Sequence, residues 1–279
     1  MITIVIPIHN REKFLRRTLD SIAASTFRPI NLILVDNGSS DGSMAIAEQF
    51  QRQQMADNFS IYITEELQQG ASFARNKGLS RVKTKYVYFF DDDDLFDKDF
   101  LSTFEPLLAQ FSTPGSQLSA LSSQQVPDMI CLTTTMQTSP DFAPVVRDYH
   151  FTGSDPVCNQ ILSGPLSTPS VIWRTEWLRE IGGWNKKVKV WQDWELGVRA
   201  LLHGPKLMWY KDHAFHTVFV HANSITGSST KDDRLNTIET VRALLTDRRH
   251  IKALWLRRLN LNHHIPGLWR IAKLFRNKE

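Results

Sequence analysis

NLILVDNGSSDGS (residues 31–43) decides the fold class. Leu32 to Val35 form an unbroken apolar run, the composition of a strand covered on both faces. The run ends at Asp36 in a turn of Gly, Ser and Asp, and SMAIAEQFQRQ (43–53) then reads as a helix, with Asp41 and Ser43 as N-cap candidates. The same order occurs upstream. ITIVIPIHN (2–10) is a buried strand that exits at Pro7 and Asn10, and the helix that follows carries Phe14, Leu15, Leu19 and Ile22 at helical spacing. Downstream come a strand in FSIYIT (59–64), a helix in GASFARNKGLSRV (70–82) opened by Gly70, and a strand in KYVYFF (85–90). Strands alternating with helices at this spacing predict βαβ units around a parallel sheet, in which ligands bind beyond the carboxyl ends of the strands. Asn10, Asp36 and Asp91 all lie at such ends.

The rest of the chain is less regular. MICLTTTMQ (129–137) is a strand candidate, PSVIWRTEWLREIGGWN (169–185) a strand and a helix stopped at Gly182–Gly183, and WQDWELGVRALLHG (191–204) a helix stopped at Gly204. FHTVFVHANSITGSS (215–229) reads as a strand running into a polar loop, and the chain from Lys231 onward as helical with a break at HHIPG (263–267). The segment around residues 106–128, rich in Ser, Gln and Pro, reads as a helix end and a loop.

With 279 residues, 42% hydrophobic and 22% charged, the chain is long enough for one large domain or two small ones, and wholesale disorder is excluded. Cys131 and Cys158 make neither a disulfide framework nor a metal motif, so two reduced thiols in a cytoplasmic protein are expected. No leader pattern opens the sequence, and no apolar run approaches the ~20 residues that span a bilayer. The net charge of +4 is unevenly placed: Arg248, Arg249, Lys252, Arg257, Arg258, Arg270, Lys273, Arg276 and Lys278 crowd the C-terminus. That asymmetry points to an anionic partner for the tail, a membrane surface or nucleic acid.

The most unusual chemistry is FFDDDD (89–94). Adjacent carboxylates repel, so a run of four needs a reason. An EF-hand is excluded, because DDDDLFDKDFLS lacks both the central Gly and the closing Glu. Asp91 and Asp93, two apart in extended backbone, project to one side and suit a Mg²⁺ or Mn²⁺ completed by phosphate oxygens and water.

IVIPIHNR, LILVDNGSSDGS, GASFARNKGL, YVYFFDDDDLF, VIWRTEWLREIGGWN, VWQDWELGVRA and FVHANSITG, taken in this order across roughly residues 2 to 228, resemble a family 2 glycosyltransferase of the GT-A fold. The resemblance implies a Rossmann-like α/β fold with a mixed, mainly parallel sheet flanked by helices. It divides the chain into a glycosyltransferase domain (1–228) and a basic amphipathic helical extension (229–279). Within the domain, 1–100 is the nucleotide-sugar half and 101–228 the acceptor half.

It also implies roles. Pro7, His9, Asn10, Asp36, Arg75, Asn76, Asp91 and Asp92 would bind the nucleotide. Asp93 would hold Mn²⁺ or Mg²⁺, with His221 completing the site, and Asp94 would support them. Asp193 would be the general base, Glu195 being the alternative. Thr168, Trp184, Trp191 and Trp194 would receive the acceptor, with Ser170 nearby, while His213 and His216 fit less well. The chain departs from the family pattern at two acidic positions, Asn37 and Gln192.

The implied reaction moves a sugar, with inversion, from a nucleotide-diphosphate sugar (a UDP-sugar) to a glycan or lipid-linked hydroxyl in bacterial cell-surface polysaccharide synthesis. The implied location is the cytoplasm, peripherally on the inner face of the plasma membrane through the C-terminal helices, with no nucleic-acid partner. Three rivals are set against it. The two departures fit an inactive nucleotide-sugar-binding scaffold of the same fold. A nucleotidyltransferase would want a Gly-rich phosphate loop, and IPIHNREK is not one. Nucleic-acid binding through the tail would show steep salt dependence.

Overall fold

Every residue of the first strand, β1 (Ile2–Ile8), is buried, as its unbroken apolar sequence requires. The structure is a computed structural model that describes residues 1–54, 58–111, 126–139, 141–148, 155–211, 213–220 and 229–245. After β1 come α1 (Leu15–Ala23), β2 (Ile30–Asp36), α2 (Ser43–Gln53), β3 (Phe59–Glu65), α3 (Ala71–Arg81) and β4 (Tyr86–Phe89). The middle holds β5 (Leu95–Phe96), α4 (Phe100–Ala109), β6 (Met129–Leu132), β7 (Thr134–Ser139), β8 (Phe142–Asp148) and α5 (Pro156–Ser163). The remainder is β9 (Val171–Arg174), α6 (Thr175–Glu180), α7 (Gln192–Leu202), β10 (Leu207–Tyr210), β11 (His216–Phe219) and α8 (Lys231–Leu244).

A seven-stranded sheet in the order β10-β6-β9-β4-β1-β2-β3 forms the centre. Its pairings are parallel except the two made by β9. The mixed, mainly parallel sheet flanked by helices is therefore observed. A smaller sheet, β5-β11-β7-β8, stands beside it. Alternation along β1 builds two core layers: Val5 joins Val35, Ala74 and Phe89 on one face, and Ile4, Ile6 and Ile8 join Leu15, Leu19 and Phe100 on the other. Helix α3 crosses β1 so closely that a Cβ at Gly78 would stand 2.3 Å from Val5 Cγ1, which is why the ARNKGL segment needs a glycine there.

Three expectations about elements change. MICLTTTMQ is two strands in different sheets, because apolar Met129–Leu132 enters the buried central sheet and the Thr-rich remainder does not. Thr133, between them, donates its N–H to Tyr210 O (3.0 Å). Helix α2 is capped by Gly42; Ser43 is its first residue, and Asp41 acts from outside by accepting the Ser43 N–H (3.0 Å). The start of the expected extension, α8, docks on the domain: Thr237 Oγ1 donates to Val190 O (2.9 Å) and Asn236 Nδ2 to Lys187 O (2.9 Å). The basic segment after residue 245 and His221 lie outside the described residues. Among those described, no helix is long and apolar enough to cross a membrane. Cys131 and Cys158 are both buried and neither is in a disulfide.

His216 on β11 gives the fold a pH dependence. It is 1% exposed, its Nε2 lies 3.0 Å from Thr135 Oγ1, and burial pulls its pKa down to about 3. The unfolded chain binds that proton near pH 6.5, so the contribution of His216 to stability is full above that value and is lost as the pH drops toward 3. Between pH 7 and pH 5 the wild type is expected to lose about 2 kcal/mol of stability, by denaturation, relative to His216→Gln, which lacks this contribution.

Candidate active site

Three strand ends meet on one side of the central sheet. At the end of β1 the His9 N–H donates to Asp92 Oδ2 (3.1 Å), and its Nδ1 lies 2.9 Å from Asn37 O, beyond β2. Asn37 closes the floor. Its Nδ2 donates to Glu66 O (2.8 Å) and Gln68 O (2.9 Å), and its Oδ1 accepts the Gly70 N–H (2.7 Å). An aspartate could accept the last of these bonds but donate neither of the others, so the amide here is structural.

The acidic loop follows β4 and is held from several sides. Thr18 Oγ1 donates to Asp94 O (2.8 Å), and Arg17 Nη2 donates to Asp93 O (2.7 Å). The Phe219 N–H of β11 donates to Asp94 Oδ1 (2.9 Å). Arg11 Nε stands 3.2 Å from Asp92 Oδ1 and 3.3 Å from Asp93 Oδ2. Burial, with the Asp93 charge beside it, pushes Asp92 up to about 8. Burial and the flanking carboxylates also drive Asp94 well above the usual carboxylate range. Crowded hard oxygens that resist ionisation fit a divalent cation, whose charge would relieve them. Among the described residues no three His, Cys, Asp or Glu side chains converge to hold an ion unaided.

The facing wall is the start of α7. Trp191 adopts φ 52° and turns the chain into the helix. Arg75, 5% exposed, joins the two walls: Nη2 donates to Asp91 Oδ1 (2.7 Å) and Nη1 to Gln192 Oε1 (2.8 Å). Gln192 Nε2 donates in turn to Lys189 O (3.0 Å). Asp193 is half-buried, with Oδ1 accepting the Trp194 N–H (2.8 Å).

Between these walls lies a cavity of about 640 Å³. It brings together Pro7, His9, Arg75, Asp91, Asp92 and Asp93, and on the opposite side Thr168, Trp191 and Asp193. Five expected residues do not line it. Asn10 turns outward with φ 54°, its Oδ1 accepting the Ser40 N–H (2.8 Å), and buried Asp36 accepts the Ser39 N–H (3.1 Å). Asn76 clasps the backbone of Trp184, at 2.8 Å to its O and 2.9 Å from its N–H, so it ties α3 to the Gly182–Gly183 turn. Trp184 packs edge-on against Phe89 at 5.2 Å and beneath Arg75 at 4.5 Å. Trp194 is 3% exposed and donates Nε1 to Gln160 O (3.0 Å). Both large rings bury apolar area in the core instead of offering it to a ligand.

Glu195, the alternative base, is fully buried against Arg199 at 2.8 Å. Ser170 is buried in a capping box, and His213 pairs with Asp97 at the surface (3.2 Å). Three basic residues to which the sequence assigns no role, Arg11, Lys186 and Lys189, line the cavity, and a fourth, Arg17, holds the acidic loop. Arg11 lies inside the quoted IVIPIHNR motif, so its position at a strand end was the available signal.

The model of "Glycosyl transferase family 2" matches residues 3–148, just over half of the chain. The chain belongs to glycosyl transferase family 2. It is 38% identical over 108 residues to the "Minor teichoic acid biosynthesis protein GgaA" of Bacillus subtilis, a match covering 37% of this chain and 24% of that protein. The match spans only 15%, 33% and 24% of the length of three curated relatives. S. aureus TarS 1-349, solved with UDP-GlcNAc, superposes with a TM-score of 0.66 at 16% identity over 98% of this chain and 70% of that one. The mannosyltransferase PcManGT of Pyrobaculum calidifontis, solved with GDP-Man and Mn²⁺, superposes at 0.58 and 14% identity over 99% and 70%. These two likenesses show the GT-A fold.

Proposed function

We propose that this family 2 chain is an inverting glycosyltransferase. It uses a nucleotide-diphosphate sugar, a UDP-sugar first among them, and a hydroxyl on a glycan or lipid-linked acceptor of a bacterial cell-surface polymer. One observation carries the reading: Arg75 bonds to Asp91 and to Gln192 at once, so the acidic loop and the residue before Asp193 face each other across one cavity. The donor would lie along the β1, β2 and α3 ends, with His9, Arg75, Asp91 and Asp92 near the nucleotide. Thr168 and Trp191 border the acceptor's side of the cavity.

Asp193 would accept the proton of the acceptor hydroxyl as that oxygen attacks the anomeric carbon. The bond to the diphosphate breaks on the opposite face, its electron pair leaves on the phosphate oxygen, and the configuration inverts. Bound at Asp93, Mn²⁺ or Mg²⁺ would supply positive charge to the departing diphosphate. This chain supplies no ion cage of its own among the described residues, which fits an ion completed by phosphate oxygens. GgaA, named for teichoic acid biosynthesis, supports the cell-surface setting. The basic segment after residue 245 would place the enzyme on an anionic membrane face in the cytoplasm.

The hydrogen bonds of Asn37 and Gln192 give both departures a structural reason, which supports the enzyme reading over an inactive scaffold. Incubation with UDP-, GDP- and dTDP-sugars and Mn²⁺ is expected to release the nucleotide from one of them, faster with an acceptor glycan present. Tight nucleotide binding with no release or transfer from any donor would leave the scaffold reading standing.

A further inference from the structure

We propose that Arg11 is a resident counter-cation of the acidic loop, which gives up Asp93 to an incoming divalent ion and turns to the donor's diphosphate. Metal and nucleotide then bind cooperatively. The inference rests on the reading of Asp93 as the metal ligand.

Arg11 is fixed at its base and free at its tip. Its backbone N–H donates to Ser43 Oγ (2.7 Å), which seats the residue at the end of β1. Its side chain, 19% exposed, lines the cavity, and Nε is shared between Asp92 (3.2 Å) and Asp93 (3.3 Å). The terminal nitrogens are much less committed: among the described residues they make a long 3.5 Å approach of Nη1 to Asn10 O. Two further guanidinium groups beside the loop are committed to partners other than the Asp93 carboxylate. Arg17 bonds to the Asp93 carbonyl and stacks 3.8 Å over Phe219, and Arg75 bridges Asp91 and Gln192.

Arg11 and a divalent ion therefore draw on the same carboxylate. An ion at Asp93 sets like charge against the guanidinium, and the long side chain is the partner able to move. A guanidinium fork matches phosphate oxygens in a bidentate pair, so a diphosphate in the cavity gives Arg11 a new anion. Linkage makes the effect reciprocal: the nucleotide tightens the metal by the factor by which the metal tightens the nucleotide.

The test is Mn²⁺ titration of the full chain, read as loss of the free-ion EPR signal, with no nucleotide, with UDP and with GDP. The wild type is expected to bind Mn²⁺ at least about tenfold more tightly with one of the diphosphates than without. Arg11→Gln is expected to tighten nucleotide-free binding about fivefold and to shrink that coupling to about twofold. Arg11→Lys keeps the charge but not the fork, so its nucleotide-free affinity stays near wild type while the coupling falls. The Lys variant carries the test should the Gln variant not fold. Unchanged Mn²⁺ affinity and unchanged coupling in both variants would overturn the role of Arg11 and leave Asp93 as ligand. Mn²⁺ binding that survives Asp93→Ala, or no binding with either diphosphate, would overturn the Asp93 reading and this one with it.

Discussion

Asp193→Asn is expected to lower transfer by about 10²–10⁴-fold while leaving nucleotide affinity intact. The asparagine keeps an oxygen able to accept the Trp194 N–H that Asp193 now accepts at 2.8 Å, so the start of α7 is preserved. What disappears is basicity at the cavity wall. Glu195 offers no substitute, since it is fully buried and paired with Arg199. The check is kcat at saturating donor and acceptor beside a calorimetric nucleotide titration. Full activity in the variant would mean that another group takes the proton.

The largest stability effect is expected from Arg199→Met, about 3–5 kcal/mol by urea denaturation. Arg199 neutralises Glu195 at 2.8 Å, and its terminal nitrogens donate to Ile181 O (2.6 Å) and Gly183 O (2.7 Å). Removing it strands a buried carboxylate and frees the Gly182–Gly183 turn that leads to the cavity wall. If the charge is the main cost, adding Glu195→Gln should recover part of the loss, because burying two neutral groups is far cheaper than burying one ion. No recovery would assign the cost to the turn instead.

Much of this was legible in the sequence because it is written in short-range pattern. The apolar runs of β1 and β2 and the helical spacing after them need no partner to be read. The acidic loop and Asp193 stand out through ordered motifs, and although about a hundred residues separate them they line one cavity. What stayed hidden depends on contacts between distant positions. Arg75 meets Gln192 across 117 residues, and nothing local signals that bond. Asn37 looked like a lost charge because its donor side matters only once Glu66 and Gln68 are folded beside it. Trp194 suits a sugar-stacking surface in the sequence because it flanks Asp193, and Trp184 suits either stacking or packing near the acceptor; both rings are buried in the core.

The Arg75 bridge also fixes the electrical balance of the site. One guanidinium, one carboxylate at Asp91 and one amide at Gln192 sum to zero. A glutamate at 192 would make the same trio anionic, beside a loop already crowded with carboxylates, and would raise its demand for cations by one. Glutamine and glutamate codons differ at a single base. One point mutation therefore resets how much positive charge this site must borrow from its ligands.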